Sequence, residues 1–350
     1  MESRRQGWKG KLLLLVASTG VVLLFVGIGE VYCRYFTRIN FLDNSRGLFK
    51  AGRYGNTYGN TPNFEGVSFG EKFRTDENGF RIEPGFVGYR GTENDSVLIL
   101  GDSVAFGPAL ADDKTVAGRL RRALTEQRVI NGSAIGYDTF DYLNAGRAIT
   151  AAKPEVRTVL LFFCLNDVSD ASAQAIRSQT AQNVSDEEPQ GRTSVPYVVN
   201  DFLRSRSKLY LWLKNALIDT QMVYFRNDLA NYQRGPENVS AALQPIAELR
   251  EDLESKGVAL KVFIMPYEAQ LRPDAAQDHM DPQRLVSGYF RQAGIEHYDV
   301  TPAFRHSGVE PKHLYLYGDP MHLSEEGTLH ASRAVCEGLP GCRIDLIPEK

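Results

Sequence analysis

The residue types that acyl transfer requires stand at suggestive places in this 350-residue chain. Asp319 and His322 lie three apart in Asp-Pro-Met-His, and Ser103 follows Gly101-Asp102 directly behind the apolar run Ser96 to Leu100. A serine hydroxyl is a poor nucleophile until a neighbouring base accepts its proton. An imidazole has its pKa near neutrality and suits that task. A carboxylate beside the ring can fix its tautomer and stabilise the imidazolium that forms. Two more polar groups follow apolar runs: Asn166-Asp167 after TVLLFF, and Gly136 within NGSAIGYDT. Each has a plainer reading when taken singly. Ser103 can cap the segment after a strand, Gly136 can be a turn glycine, and Asn166 can cap a loop. Of the six histidines only His322 has the Asp-x-x-His setting; His279, His297, His306, His313 and His330 read as surface or core residues.

The elements that must hold these residues are visible in the hydrophobic pattern. Short apolar runs at Ser96–Leu100, Arg128–Ile130, Thr158–Phe163, Val258–Met265 and Ile295–Val300 read as strands. Between them, Val116, Leu120 and Leu124 recur at helical spacing, as do Val239, Leu243, Ile246, Leu249 and Leu253. A closing helix is expected from Ser324 to Gly338. Strand alternating with helix implies a parallel sheet covered on both faces, and in such sheets ligands gather at the carboxyl ends of the strands. The polar residues above follow four of these five strands.

Residues 37–95 are rich in Gly, Asn, Tyr and Phe without sustained periodicity and read as a loop-rich extension. Residues 171–235 interrupt the alternation. The polar first part, through Ser194, reads as a mobile loop. In the second, Leu209, Trp212, Leu213, Ala216 and Leu217 form an amphipathic stripe, expected to pack on the core, with a lid as the alternative.

The N-terminus carries Arg4, Arg5, Lys9 and Lys11 against Glu2, while the whole chain has net charge -3. No charged residue occurs from Leu12 to Gly29. About 18 apolar residues suffice to cross a bilayer, whereas a cleaved signal has an apolar region of only ~7–15. An anchor at residues 12–31 is therefore expected, with residues 1–11 a cytoplasmic basic tail and the remainder on the outer, periplasmic face. Cleavage after Gly27 or Gly29 is the alternative, and a lipoprotein built on Cys33 is disfavoured by bulky Tyr32. No basic stripe or motif points to nucleic acid. Neither Cys/His spacing nor HExxH points to a metal. Cys336 and Cys342 can form a small disulfide outside the cytoplasm or remain two thiols.

The ordered blocks Gly-Asp-Ser, a glycine in the second block, Asn-Asp and Asp-x-x-His resemble those of the SGNH, or GDSL-type, hydrolases over residues 96–336. The stretch RTDENGFRIEP resembles sequences that precede the first block in anchored bacterial members. The resemblance implies a flavodoxin-like three-layer α/β/α domain over residues 96–345, with about five parallel strands and no cofactor. It implies Ser103, Asp319 and His322 as catalytic residues, and an oxyanion hole from the Ser103 N–H, the Gly136 N–H and the Asn166 amide. Glycine at 136 would leave room for substrate. Asp102 and Asp167 would organise loops by hydrogen bonding.

Two positions depart from the family pattern. Cys164 stands where a glycine is usual, for which a packing change is expected, and Ser133 replaces an earlier glycine. Of the Asn-x-Ser triplets at Asn131, Asn183 and Asn238, the first lies inside the second block and reads as structural. The implied activity is hydrolysis of an ester, an O-acetyl or other short acyl group on an envelope carbohydrate. One rival is an O-acyltransferase using the same serine. Alginate-type acetyltransferases that resemble this superfamily place their Asp-His pair before the serine, and here it follows. A non-catalytic flavodoxin-like binding protein is a further rival, which leaves Asn166, Asp319 and His322 unexplained.

Overall fold

The computed structural model describes residues 2–42, 44–86, 90, 95–169 and 195–343. A long helix, α1 (Glu2–Phe36), is followed by β1 (Phe49–Ala51), β2 (Tyr58–Asn60), β3 (Glu65–Ser68), β4 (Glu71–Thr75) and β5 (Arg81–Ile82). Next come β6 (Ser96–Gly101), α2 (Ser103–Phe106), α3 (Val116–Ala123), β7 (Arg128–Asn131), α4 (Thr139–Ala152) and β8 (Val156–Cys164). Among the described residues four helices follow: α5 (Val195–Arg204), α6 (Lys208–Leu217), α7 (Thr220–Tyr232) and α8 (Pro236–Ser255). The chain continues through β9 (Ala259–Met265), α9 (Glu268–Leu271), α10 (Asp281–Gln292) and β10 (Glu296–Asp299). It closes with α11 (Thr301–Arg305), α12 (Pro311–Leu314) and α13 (Glu325–Glu337).

These elements form two compact units. The larger holds residues 42–169 and 219–343 and is built on one sheet of order β10-β9-β8-β6-β7-β5-β4-β3. Its first five members are parallel. In chain order they run 2-1-3-4-5, the flavodoxin-like arrangement, whose crevice lies where strand order reverses beside β6. Burial explains why β6 and β8 were legible: Leu98, Ile99 and Leu100 of β6 are wholly inaccessible, as are Val159 to Cys164 of β8. Helices α4, α8 and α10 pack together as one group, and α3, α11 and α13 as another. The apolar stripe of α8 is buried throughout.

The segment 37–95 is more ordered than its composition suggests. β5 pairs antiparallel with β7, β4 with β5, and β3 with β4, so three strands of this extension lengthen the main sheet. Phe69 and Gly70 join β3 to β4 with φ of 51° and 87°, the doubly positive backbone of a two-residue hairpin turn. In the insertion, residues 170–194, including Asn183, lie outside the described residues, while 195–235 is helical.

The smaller unit holds residues 2–41 and 195–218. The stripe on α6, expected to pack on the core, falls in this smaller unit. Its Leu209 lies against Gly29 of α1, and Trp212, Leu213 and Leu217 are exposed. A stripe specifies that a face is covered, not by what, and here α1 takes part of it. Helix α1 is apolar enough to cross a membrane over Gly10–Phe36.

Arg81 fastens the extension to the loop behind α2. Its buried guanidinium donates from Nε to Asp112 Oδ1 at 2.8 Å and from Nη1 to the carbonyls of Phe106 and Gly107 at 2.9 and 2.6 Å. Nη2 reaches the Leu110 carbonyl at 2.6 Å, and the group stacks over Phe106 and Phe73. Removing one member of a buried pair strands the other. Arg81→Met should lower the unfolding free energy by about 3–5 kcal/mol in urea titrations. Arg81→Lys should recover little, because an ammonium lacks the planar fork. An unchanged midpoint in either variant would refute the clamp.

Candidate active site

Ser103 begins α2 at the carboxyl end of β6, the position where strand order reverses. The preceding Asp102 caps this short helix, its Oδ1 accepting the Val104 N–H at 2.8 Å. Such a cap fixes where the helix starts and therefore where the Ser103 hydroxyl points.

His322 Nε2 lies 2.7 Å from Ser103 Oγ, and His322 Nδ1 lies 2.7 Å from Asp319 Oδ2. The second Asp319 oxygen accepts the backbone N–H groups of Met321 and His322 at 3.0 and 2.8 Å. The three-residue spacing thus lets one carboxylate shape its own loop and hold the ring at the loop's end. This loop is pinned from several sides. Thr220 Oγ1 donates to the Gly318 carbonyl at 3.0 Å, and Gln221 Nε2 to that of Asp319 at 3.1 Å. The Glu268 N–H reaches the Pro320 carbonyl at 2.9 Å. Tyr315 bridges Leu323 across the base of the loop, and the Tyr315 hydroxyl donates to the Pro266 carbonyl.

Charge and burial compete at this pair. Burial pushes the Asp319 carboxyl up, but the imidazolium and two backbone N–H groups outweigh it and hold it below the usual range. Burial pulls His322 down, and the Asp319 carboxylate overcomes that too, so the ring titrates above its ordinary 6.5. The arrangement favours an ion pair once the ring gains a proton.

Asn166 stands in the single turn after β8 and donates from Nδ2 to Asp102 Oδ2 at 3.2 Å. Its amide carries a second N–H, and its buried Oδ1 has no hydrogen-bond partner among the described residues. Asp167 accepts the Cys164 N–H and the Tyr142 hydroxyl, both at 2.9 Å, and so shapes the same turn. Burial raises both Asp102 and Asp167, the latter well above the usual range. Cys164 is wholly buried at the end of β8, paired with Met265.

Gly136 is joined differently. Its φ is +81°, and a Cβ there would lie 2.4 Å from the Tyr58 hydroxyl, which donates to the Ile135 carbonyl. The expectation that glycine leaves room for substrate needs correction: Tyr58, from β2, fills that side, and the backbone angle also favours glycine. The loop reaches β6 through the Ala134 N–H, which donates to the Gly101 carbonyl at 3.2 Å. Ser133 and Asn131 are hydrogen-bonded to each other within the buried second block.

The structure thus joins Ser103, His322 and Asp319 in one line, sets Asn166 beside it through Asp102, and ties Gly136 to Tyr58. It adds residues that no sequence pattern marked. The Phe69 ring meets His322 edge-on with centroids 5.4 Å apart, delivered by the β3–β4 turn. Gln221 and Thr220 act on the loop from the first turn of α7. Cys336 and Cys342, left open above, are disulfide-bonded at the end of α13.

The electrostatics can be tested without any substrate. In Asp319→Asn the carboxylate that raises His322 is gone while burial, which lowers it, remains. The imidazole midpoint followed by NMR should fall relative to the parent. A midpoint that stays in place would mean that Asp319 does not set it.

A family model described as SGNH hydrolase-like domain, acetyltransferase AlgX, matches residues 222–349. That stretch contains Asp319 and His322 and leaves Ser103 outside. No curated relative matches the chain. Similar solved structures include TesA, at 14% identity over 70% of this chain and 98% of that one, TM-score 0.43. Axe2, an acetylxylan esterase from Geobacillus stearothermophilus, is 15% identical over 72% and 99% of the two chains, TM-score 0.40. A member of the lipolytic protein G-D-S-L family from Veillonella parvula is 10% identical over 69% and 96%, TM-score 0.40. The family match over residues 222–349, and the order of the Gly-Asp-Ser, Asn-Asp and Asp-x-x-His blocks along this sheet, support the resemblance to the SGNH/GDSL hydrolases.

Proposed function

We propose that the chain is a serine esterase that removes an O-acetyl or other short acyl group from an envelope carbohydrate. The observation that carries this reading is the continuous line from Ser103 Oγ through His322 to Asp319, with both heavy-atom distances at 2.7 Å. Ser103 Oγ attacks the ester carbonyl as His322 Nε2 takes its proton. The tetrahedral oxyanion is met by the Ser103 N–H, the Gly136 N–H and the second N–H of the Asn166 amide. Collapse breaks the ester C–O bond, and His322 returns the proton to the leaving sugar hydroxyl. Water, deprotonated by the same ring, then attacks acyl-Ser103 and restores the serine. Asp319 stays ionised throughout and steadies the imidazolium.

A second reading has its own support. The matching family model is described as an acetyltransferase, and transfer differs only in that an acceptor hydroxyl replaces water in the second half. We also read α1 as a retained anchor, with the larger unit on the outer face of the membrane.

The full chain in detergent should hydrolyse a chromogenic acetyl ester, and Ser103→Ala should lose about 10³-fold or more in kcat. Asn166→Ala should lose about 10²–10³-fold in kcat, the usual effect of deleting one oxyanion donor. Because His322 must be neutral to accept a proton and titrates above 6.5, kcat/KM should rise with pH through a midpoint above that value. Equal turnover by the parent and Ser103→Ala would sink the serine mechanism. Supplying an acyl donor together with an oligosaccharide acceptor separates the two readings, since acylated product in place of free acid selects transfer.

A further inference from the structure

The smaller unit carries an apolar surface that the esterase chemistry does not use. On α5, Val198, Val199 and Phe202 are exposed, and on α6 and just beyond it Trp212, Leu213, Leu217 and Ile218 are too. Leu217 is 83% exposed and Trp212 44%. The helices form a hairpin fastened at Asn200, whose side-chain oxygen accepts from the Tyr210 hydroxyl at 2.8 Å and from Lys214 Nζ at 3.1 Å.

The attachment of this hairpin to α1 says what covers it. The charge-free run Leu12–Gly29 spans roughly 27 Å at ~1.5 Å per residue, close to the ~30 Å hydrocarbon thickness of a bilayer. Glu30 is the first charged residue after it. Its carboxylate accepts from Ser207 Oγ at 2.8 Å and from the N–H groups of Lys208 and Leu209 at 3.1 and 3.0 Å. A carboxylate at a helix N-terminus also complements the helix dipole. Gly29 presents no side chain, so Leu209 closes onto α1 there. Arg34, one turn on, pairs with Glu30 and donates to the Arg206 carbonyl at 2.7 Å. The start of α6 is therefore fixed at the level where the charge-free run ends.

We infer that α5 and α6 form an interfacial hairpin, lying in the headgroup region of the bilayer that α1 crosses, with Trp212 and its apolar neighbours at the acyl boundary. The inference rests on reading α1 as a retained span. It commits to lipid for three reasons. The apolar face is continuous with a helix of lipid-facing composition. A tryptophan stands where aromatic belts form. Residues 195–218 also hold four basic side chains (Arg204, Arg206, Lys208 and Lys214) against one acidic, Asp201, a balance suited to anionic headgroups.

The chain has two tryptophans, Trp8 and Trp212. The full-length Trp8→Phe variant, reconstituted into phosphatidylglycerol-containing vesicles, makes Trp212 the sole reporter. Expected are blue-shifted emission, quenching by bromine high on the acyl chains, and weaker quenching by bromine near the chain ends. Bromolipid-insensitive emission that acrylamide quenches would overturn the hairpin's lipid contact while leaving the anchor intact. Emission shielded from both quenchers would overturn it in favour of a second copy covering the face. Failure of the parent chain to float with vesicles, or its extraction at alkaline pH, would remove the anchor and this inference together. Ester hydrolysis, measured on the same preparation, is independent of all these outcomes.

Discussion

A carboxylate buried away from water is costly unless its oxygens are met by donors, and the site depends on how that cost is offset at Asp319. Two backbone N–H groups of its own loop occupy one oxygen, and the imidazole of His322 occupies the other. The same bonds that keep Asp319 ionised place the ring, because a carboxylate satisfied by its own loop can hold a side chain three residues on in only a narrow range of positions. Gln221, Thr220 and the Glu268 N–H then hold the loop itself. Helix α7 thereby helps to hold the Asp319–His322 loop, although none of its residues resembles a catalytic one.

A second buried carboxyl group works on the other side of the serine. Asp102 caps α2, receives Asn166 and lies within reach of the Ser103 hydroxyl at 3.4 Å. Asp167, one residue past Asn166, takes the Tyr142 hydroxyl and the Cys164 N–H, and burial together with the Asp102 charge keeps it reluctant to ionise. Ser103 and the amide beside it are held by one shared polar network in a dry interior, where each bond is strong and a missing partner is expensive. Cys164 fits this picture as a small apolar filler beneath the turn.

The chemistry-bearing residues were legible because their neighbours in sequence are also their neighbours in space. Asp319 and His322 share a loop, and Ser103 and Asn166 each follow a short uniform apolar run bounded by turn residues, as a buried strand is. Other features depended on distant partners and left no local trace. β3 to β5 are two to five residues long and interrupted by Gly and Asn, so no period could develop. Phe69 reaches His322 only because β3 and β4 turn where they do. Tyr58 accounts for Gly136 from nearly eighty residues upstream. The stripe on α6 was visible, but amphipathicity reads alike whether core, helix or lipid lies opposite.

The antiparallel strands have a bearing on how the molecule survives in a crowded compartment. In a five-stranded sheet β7 would be an outer strand, with its free N–H and C=O groups open to any passing chain, which is how edge-to-edge aggregation begins. Here β5 pairs with it, and the margin passes outward to β3, where Glu65 is exposed and bonded to Arg74 on β4. Charge on an outermost strand discourages further pairing. The segment ahead of the first parallel strand thus covers the β7 edge, and the sheet of the larger unit begins well before residue 96.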